Sequence, residues 1–332
     1  MTTQVKSRKI RLLASFFTVS SWTMASRIMG FVRDILIAAF FGSGPVAEAF
    51  QVAFSLPNMF RRFFAEGAFN MAFVPMFSKK LEAGEDARLF AQNAMAGLAT
   101  VLIALTLLAQ LFMPWFVLAM ASGFADDQRF DLATDFGRIC FPYILFISLA
   151  ALLSGVLNSL GRFAAAAAAP VVLNIILVAA MTTAWWLGAD VAKALAWGVP
   201  VAGIAQLALV WVAASRAGIR LLPQMPRLTP DIKRLALIAA PAALAGGVVQ
   251  INLLVGRQVA SYFDGAIQWL AVADRLYQLP LGVVGIAIGV VLLPDLSRKL
   301  QATDIQGSQY AFNRATEFAL ALTLPAAVGL AV

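Results

Sequence analysis

Six arginines interrupt long apolar stretches of this sequence, a setting in which charged side chains are rare. A guanidinium group offers forked N–H donors that match the oxygen atoms of a phosphate group. Three carboxylates lie in the same stretches, which leaves an excess of three positive charges. We therefore expect a hydrated cationic cavity built for an anionic, phosphorylated ligand. The arginines are Arg27, Arg33, Arg61, Arg62, Arg257 and Arg275, and the carboxylates are Asp34, Glu66 and Asp274.

Spacing along a helix predicts how some of these ions pair. Arg27 and Asp34 are seven residues apart and share one helix face. Arg62 and Glu66 form an i, i+4 pair. A structural interpretation competes with ligand binding, because adjacent ions could pair with each other and long side chains could extend to the membrane interface. We favour the structural interpretation for Arg257. We favour ligand binding for Arg27, Arg33, Arg61 and Arg275.

Composition places these ions in a membrane protein. The 332 residues are 61% hydrophobic and 13% charged, with a mean hydropathy of +0.83, whereas soluble domains carry about 25% charged residues. Six lipid-facing arginines would cost on the order of 15 kcal/mol, so they must line water or pair inside a helical bundle. Six uncharged runs are each long enough to cross roughly 30 Å of hydrocarbon. They are 89–125, 139–161, 163–189, 194–214, 235–256 and 276–294.

The chain is predicted to be an all-α, polytopic membrane protein with about nine transmembrane helices. The first six would form one lobe over residues 1–216. A proline-rich cytoplasmic linker, 217–230, would lead to the first three helices of a pseudo-symmetric second lobe, 231–332. The predicted segments are 12–41, 46–78, 88–118, 132–158, 164–187, 192–215, 232–262, 266–296 and 310–332.

Positive charge alternates between successive connections, and this alternation predicts the orientation of the chain. The odd-numbered connections hold only two cations, Arg129 and Lys193, whereas the N-terminal tail and the even-numbered connections hold the other loop cations. We therefore expect the N-terminus to face the cytoplasm. A net charge of +8 could also indicate nucleic-acid binding. Because the cations lie at helix ends on one side, membrane orientation is favoured and no nucleic-acid partner is expected.

A short internal repeat supports the division into two lobes. The sequence PMFSKKL at 75–81 matches PDLSRKL at 294–300, and both copies are expected to leave the membrane on the cytoplasmic side. The offset of six segments indicates a parallel repeat of six-helix units. On this interpretation the second lobe is truncated at residue 332, and the chain is the N-terminal part of a longer protein.

Catalytic and metal chemistry find little support in the residue types. Histidine is absent and Cys140 is the single cysteine, which removes the usual general base and the thiolate metal cluster. We expect no catalytic residues, no metal site and no cofactor, with transport driven by the membrane potential or a coupling ion. The alanine run 164–169 is interpreted as a helix-packing surface.

The stretches SRIMGFVRDILIAAFFG and VAFSLPNMFRRFFAEGAFNMAFVPMFSKKL closely resemble the MurJ (MviN) family of lipid II flippases. The resemblance continues through FPYILFISLAALLSGVLNSLGRF and ADRLYQLPLGVVGIAIGVVLLPDLS, and it covers essentially the whole chain. This family belongs to the superfamily of multidrug, oligosaccharidyl-lipid and polysaccharide exporters. It has two six-helix lobes followed by a final helix pair.

The resemblance implies that an undecaprenyl-pyrophosphate-linked peptidoglycan precursor is moved from the inner to the outer leaflet of the bacterial cytoplasmic membrane. It implies no enzyme activity, and a monomer with lipid II and membrane lipids as partners. The family's functional arginines correspond by position to Arg27, Arg33, Arg61 and Arg275. Its gate-forming acids resemble Asp34, Glu66 and Asp274, with Glu48 standing where family members usually have aspartate.

Three other functions are weighed against the flippase. An exporter of another polyprenyl-linked oligosaccharide would share the fold. A membrane enzyme acting on polyprenyl phosphates would require clustered acids for Mg²⁺ or a histidine, and the adjacent acids Glu85–Asp86 and Asp126–Asp127 lie in ordinary polar turns. An inactive fragment is the third alternative.

Overall fold

The computed structural model describes residues 2–62, 68–222, 224–287, 299 and 304–331. These residues form eleven α-helices and a single 3₁₀ turn, without strands in the described ranges, which confirms the predicted all-α fold. The helices are α1 Thr2–Phe41, α2 Pro45–Arg61, α3 Ala68–Glu82, α4 Ala87–Met120, α5 Gln128–Cys140, α6 Tyr143–Ser159, α7 Ala164–Trp186, α8 Val191–Arg216, α9 Pro230–Ala260, α10 Ala266–Ala287 and α11 Ile305–Ala331; the 3₁₀ turn is Ser122–Phe124.

Three of the described helices, α4, α7 and α8, are long and apolar enough to cross a membrane, and the bent pair α5–α6 would make a fourth. The predicted count of nine is not confirmed. The second predicted segment is divided between α2 and α3, and α1 mixes apolar residues with serine, threonine and arginine. Exposed side chains on α4, such as Leu107 at 61% and Leu111 at 75%, form the kind of surface that lipid covers in a membrane protein.

By its contacts the chain divides into two compact units, Met1–Gln268 and Trp269–Val332. In the first unit, α7 packs against α1 and α8, and α2 packs against α5. The helix α9 also belongs to this unit and packs against α3 and α4. The lobe boundary at 217–230, which was inferred from the proline-rich linker, stays a prediction. Of the second repeat copy, only Lys299 lies within the described residues.

Two groups of contacts define two ends of the first unit. We call the end with Lys80 and Asp231 the basic end, and the opposite end, with Glu48 and Arg129, the Glu48 end. The helix α9 begins at the basic end, where Lys80 reaches Asp231, and its last turn lies against Ser122 at the Glu48 end. A helix of its length, at 1.5 Å per residue, is long enough to join the two.

A bend separates α5 from α6. Their axes differ by 40°, and the two residues between the helices are Phe141 and Pro142. Proline lacks an N–H group, and its ring clashes with the preceding turn, so the bend has a covalent cause. The largest buried side chains lie around this joint and along α2 and α3. They include Phe50, Phe73, Phe77, Phe141 and Tyr143.

Candidate functional site

Arg33 on α1 is only 9% exposed, and its donors are directed at protein groups. Nε and Nη2 donate to Asp34 Oδ1 at 2.9 and 2.7 Å, and Nη1 donates to Asn174 Oδ1 on α7 at 3.0 Å. Asn174 Nδ2 in turn donates to the carbonyl oxygen of Ser26 at 3.1 Å. Arg33 and Asn174 therefore join α1 to α7. The ligand-binding role predicted for Arg33 remains a prediction, and the structure adds a positioning role.

Arg61 and Arg62 lie where α2 ends, and they face different surroundings. Arg61 is half-buried and lines a cavity inside the first unit. Arg62 is exposed, and its Nη1 donates to Gln250 Oε1 on α9 at 3.4 Å. The pairing predicted between Arg62 and Glu66 is untested because Glu66 lies outside the described residues. Arg27, which shares α1 with Arg33, is half-buried.

The cavity beside Arg61 has a volume of about 450 Å³ and is bounded by α1, α2, α3, α6, α7 and α8. We call it the alanine-lined cavity. Among the described residues, its wall combines small apolar residues with neutral polar side chains and the cation Arg61. The polar lining residues are Asn58, Arg61, Asn70, Tyr143, Ser154, Asn158 and Gln206; the small ones include Ala150, Ala151, Gly155, Ala166, Ala167 and Ala169.

Glu48, at the end of the first unit that is named after it, is buried, with 1% of its surface exposed. Its Oε2 accepts from Arg129 Nη1 on α5 at 2.9 Å, and its Oε1 accepts from the backbone N–H of Ile267 at 3.1 Å. Ile267 belongs to the first turn of α10, where N–H groups have no partner within the helix. A carboxylate there satisfies one of these donors and interacts favourably with the helix dipole. Glu48 thus joins α2, α5 and α10.

Arg129 is the centre of this network and was not predicted as a site residue. It is 6% exposed. Its Nε donates to Asp127 at 2.5 Å, its Nη2 lies 3.0 Å from Asp264, and its guanidinium carbon lies 4.5 Å from the ring centre of Phe124. The side chain of Asp264 is 93% exposed, so this contact adds little. Glu48 and Asp127 are the partners that hold Arg129.

The 3₁₀ turn makes close contact with the end of α9. The N–H of Ser122 donates to Gln258 Oε1 at 2.8 Å, and the N–H of Gly123 donates to Ser261 Oγ at 2.9 Å. The hydroxyl groups of Ser122 and Tyr262 are 2.8 Å apart. A Cβ atom on Gly123 would lie 2.5 Å from the backbone carbonyl of Ser261, so only glycine permits this approach. Sequence reasoning missed this contact, because close approach leaves no local pattern.

The basic end is held by fewer and more exposed groups. Lys80 Nζ lies 2.7 Å from Glu85 and 3.0 Å from Asp231, the second residue of α9. Hydrogen bonds to Glu85 and then to Asp231 raise the pKa of Lys80 above its ordinary 10.5. Gln224, in the segment before α9, donates to Asn93 on α4 at 2.6 Å. These contacts link α9 to α3 and α4.

The remaining predicted residues lie on α9 and α10. Arg257 is half-buried in the last turn of α9. Arg275 is half-buried and Asp274 is exposed on α10, within the unit Trp269–Val332. In the first unit, the structure brings Arg61 to the alanine-lined cavity and Glu48 to the network of Arg129. The ligand-binding and gating roles of the predicted residues remain predictions.

Comparison with known proteins decides the family. The family model described as "Lipid II flippase MurJ" matches residues 37–332. The chain belongs to the lipid II flippase MurJ family. A Rhizobium meliloti (strain 1021) protein described as a probable lipid II flippase MurJ is 52% identical over 328 residues, which cover 97% of this chain and 61% of that relative. This chain therefore spans about three fifths of the length of that MurJ relative.

Solved structures agree with the MurJ assignment. A lipid II flippase MurJ in an inward closed conformation superposes with a TM-score of 0.75 at 27% identity, covering 94% of this chain and 64% of that one. A Vibrio cholerae MATE transporter, VcmN, superposes with a TM-score of 0.64 at 14% identity, covering 98% of this chain and 74% of that one. The second similarity concerns the fold alone.

Proposed function

We propose that this MurJ family member translocates lipid II from the inner to the outer leaflet by alternating access, without covalent chemistry. The observation that carries the proposal is Arg61, a half-buried cation that lines an internal cavity of the first unit. A guanidinium group in a low-dielectric wall binds a pyrophosphate more strongly than one in water would. The described function of the relatives supports lipid II as the ligand.

The distribution of cations between the two ends predicts the orientation of the protein in the membrane. The basic end would face the cytoplasm and the Glu48 end the opposite side, with the N-terminus in the cytoplasm. We place the protein in the bacterial cytoplasmic membrane, as a monomer whose partners are lipid II and membrane lipids and not nucleic acid. No cofactor is required, because binding and release need only a change of conformation. The membrane potential or a coupling ion would supply the energy.

The arginines have different roles in this proposal. Arg61 contacts the pyrophosphate, and Arg27 on α1 and Arg275 on α10 are further ligand-binding arginines. Arg33 contributes through α1, because its hydrogen bonds to Asp34 and Asn174 fix the helix that carries Arg27. The network of Glu48 and Arg129 keeps one end closed while the substrate enters from the other.

Growth complementation of a flippase-depleted strain tests the proposal. Alanine at Arg27, Arg61 or Arg275 is expected to abolish growth at normal expression. Arg61→Lys is expected to restore growth only partly, because lysine keeps the charge but loses the fork. Arg220→Ala, which alters an exposed arginine in the connection after α8, is the matched control and is expected to grow normally. Full growth of all three alanine variants would refute the proposed substrate.

A further inference from the structure

A second cavity of the first unit is lined by two arginines and has no role in the proposed function. It lies between Thr18 on α1, the connection from α6 to α7, and the end of α8. Arg162, in that connection, and Arg216, in the last turn of α8, both line it. Its volume of about 530 Å³ lies within the range of roughly 300–1,000 Å³ typical of ligand sites. We call it the two-arginine cavity.

Two helix ends of the same type place these arginines. After α6, Gly161 has a positive φ of 70°, and the N–H of Arg162 donates to the carbonyl oxygen of Leu157 at 2.9 Å. After α8, Gly218 has a positive φ of 91°. Glycine adopts this left-handed conformation without strain, so each helix ends in a tight turn. Because α6 packs against α8, the two turns hold Arg162 and Arg216 at the same cavity.

The start of α7 adds backbone donors to the wall of this cavity. The helix begins after Phe163 without a side-chain cap, and Ala164 and Ala165 of its first turn line the cavity. N–H groups of a first helical turn have no partner within the helix, and the helix dipole favours an anion beside them. The methyl side chains of alanine leave these donors accessible. The beginning of the alanine run can therefore bind an anion as well as pack helices.

The charges around the cavity select a phosphate-like ligand. Arg162 and Arg216 are both exposed, so their forked N–H donors can reach a bound group. The part of α1 that contributes Thr18 carries only cations before Asp34 in the sequence. Two guanidinium groups and the N–H groups of a helix start match an anion with several acceptor oxygens, and a phosphate group has this form.

The setting of the cavity indicates a phospholipid as the source of the phosphate. Arg216 ends α8, which is long and apolar enough to cross a membrane. Val212, one turn before Arg216, is 48% exposed. A phosphate bound at this helix end can therefore continue into acyl chains that lie along the apolar surface of α8. Basic pockets between membrane helices bind anionic head groups in this way, and two arginines repel the cation of a zwitterionic lipid.

We propose that the two-arginine cavity binds the phosphate of an anionic phospholipid that is a resident ligand and not the cargo. Arg162 and Arg216 contact the phosphate oxygens, and the first N–H groups of α7 donate to them. The bound lipid joins the ends of α6 and α8 to the start of α7, the helix that packs against α1. The site does not depend on which lipid the protein transports, so its failure would leave the proposed function untouched.

Native mass spectrometry of the purified protein in detergent tests the inference. Dioleoyl phosphatidylglycerol is the anionic probe, and dioleoyl phosphatidylcholine is the zwitterionic control. Arg162→Ala and Arg216→Ala should each weaken phosphatidylglycerol binding roughly tenfold, the effect of losing one charge-assisted hydrogen bond. Arg162→Lys should recover part of the affinity, because it keeps the charge without the fork. Arg220→Ala, at an exposed arginine outside the cavity lining, is the matched control and should stay within about twofold of wild type.

A second pair of variants tests the backbone donors. Ala164→Leu places a longer side chain over the first turn of α7 and should weaken phosphatidylglycerol binding, with an unchanged melting temperature. Ala179→Leu, at an exposed alanine of the same helix, is its control and should bind as wild type does. Normal binding by Ala164→Leu would remove the start of α7 from the site.

Four results would overturn the lipid site. Equal affinity of wild type for the two lipids would show that the anionic charge is not recognised. Unchanged phosphatidylglycerol binding in both arginine variants would leave Arg162 and Arg216 with a purely structural role at their helix ends. An equal loss in Arg220→Ala would reduce the effect to the overall positive charge. Displacement of phosphatidylglycerol by an equal concentration of inorganic phosphate would make the ligand a soluble anion instead of a lipid.

Discussion

The two ends of the first compact unit hold α9 in different ways. At the Glu48 end, a buried arginine and a buried carboxylate connect α2, α5 and the start of α10, and the 3₁₀ turn meets the end of α9 backbone to backbone. At the basic end, the pair Lys80–Asp231 has side-chain exposures of 19% and 46%. One end contains a buried ion pair with several hydrogen bonds, and the other contains an exposed ion pair.

This difference determines which ion pair is costly to break. Removing one partner of a buried ion pair costs about 3–5 kcal/mol because the other charge stays buried. An exposed pair contributes about 0.2–1 kcal/mol and is screened by salt. The buried pair of Glu48 and Arg129 is therefore far more costly to break by removing one partner than the exposed pair of Lys80 and Asp231.

Arg129→Ala should have the largest effect. The change leaves Glu48 buried without its cation and should destabilise the closed Glu48 end by about 3–5 kcal/mol. We would measure it as the reaction rate of a cysteine placed at Ala260, which is 6% exposed, with a membrane-impermeant maleimide. Native Cys140 is fully buried and should not react.

The exposed pair at the same end provides the control for this change. Lys193 lies 3.8 Å from Asp190, with side-chain exposures of 72% and 52%. Lys193→Ala should leave the reaction rate within about twofold of wild type. Equal rates in Arg129→Ala and wild type would show that the buried network does not hold this end closed.

Gly123→Ala should have the second largest effect. The added Cβ would lie 2.5 Å from the carbonyl of Ser261, and backbone atoms cannot move aside as a flexible side chain can. Overpacking of this kind costs about 1–3 kcal/mol, so the same cysteine should react faster and growth complementation should fall. Gly256→Ala on α9 is the control, since nothing lies within 4 Å of its Cβ position. Identical behaviour of the two variants would contradict the close-approach argument.

Tyr262→Phe should have a smaller effect. It removes one hydroxyl group, 2.8 Å from that of Ser122, and leaves the ring in place. A hydrogen bond between neutral groups contributes about 0.5–1.5 kcal/mol, and the 65% exposure of Tyr262 favours the lower value. Thermal unfolding in detergent should show a small decrease in Tm. Ser122→Ala should give the same decrease, and the double variant should add nothing further; additive losses would rule out a direct bond.

Lys80→Ala should have the smallest effect. It removes the contacts with Glu85 and Asp231 at the basic end, where water screens the charges. We expect at most about 1 kcal/mol, and a difference from wild type that vanishes at high salt. Unfolding experiments at low and at high ionic strength measure the loss of stability and its dependence on salt. A loss as large as that of Arg129→Ala would overturn the contrast between the two ends.

Much of the helical architecture was predictable from apolar runs. The predicted segments 88–118, 164–187 and 192–215 correspond to Ala87–Met120, Ala164–Trp186 and Val191–Arg216. A long membrane helix is encoded by a continuous run of apolar residues, and charged residues and glycine mark its ends. The division between α5 and α6 was missed, although Pro142 stands at the joint, because apolar composition does not record a bend.

The candidate site was harder to predict, because its contacts join distant parts of the chain. Arg33 and Glu48 could be singled out by their charge within apolar stretches, but their partners Asn174 and Arg129 could not. A signal for Arg129 was present: it is one of two cations in the connections expected to lack them. Lys193, the other, has an ordinary surface pair with Asp190. A cation in a connection that is expected to lack positive charge can therefore indicate a buried ion pair.

The proline joint between α5 and α6 has a mechanical consequence. Arg129 stands near the start of α5, while Tyr143, Ala150 and Ser154 on α6 line the alanine-lined cavity. Because Pro142 has no N–H group, the joint lacks one helix hydrogen bond, and the packed side chains of Phe141 and Tyr143 help to set its angle. A rotation of α5 around this joint would therefore change the angle between the buried ion pair of Arg129 and the cavity wall on α6.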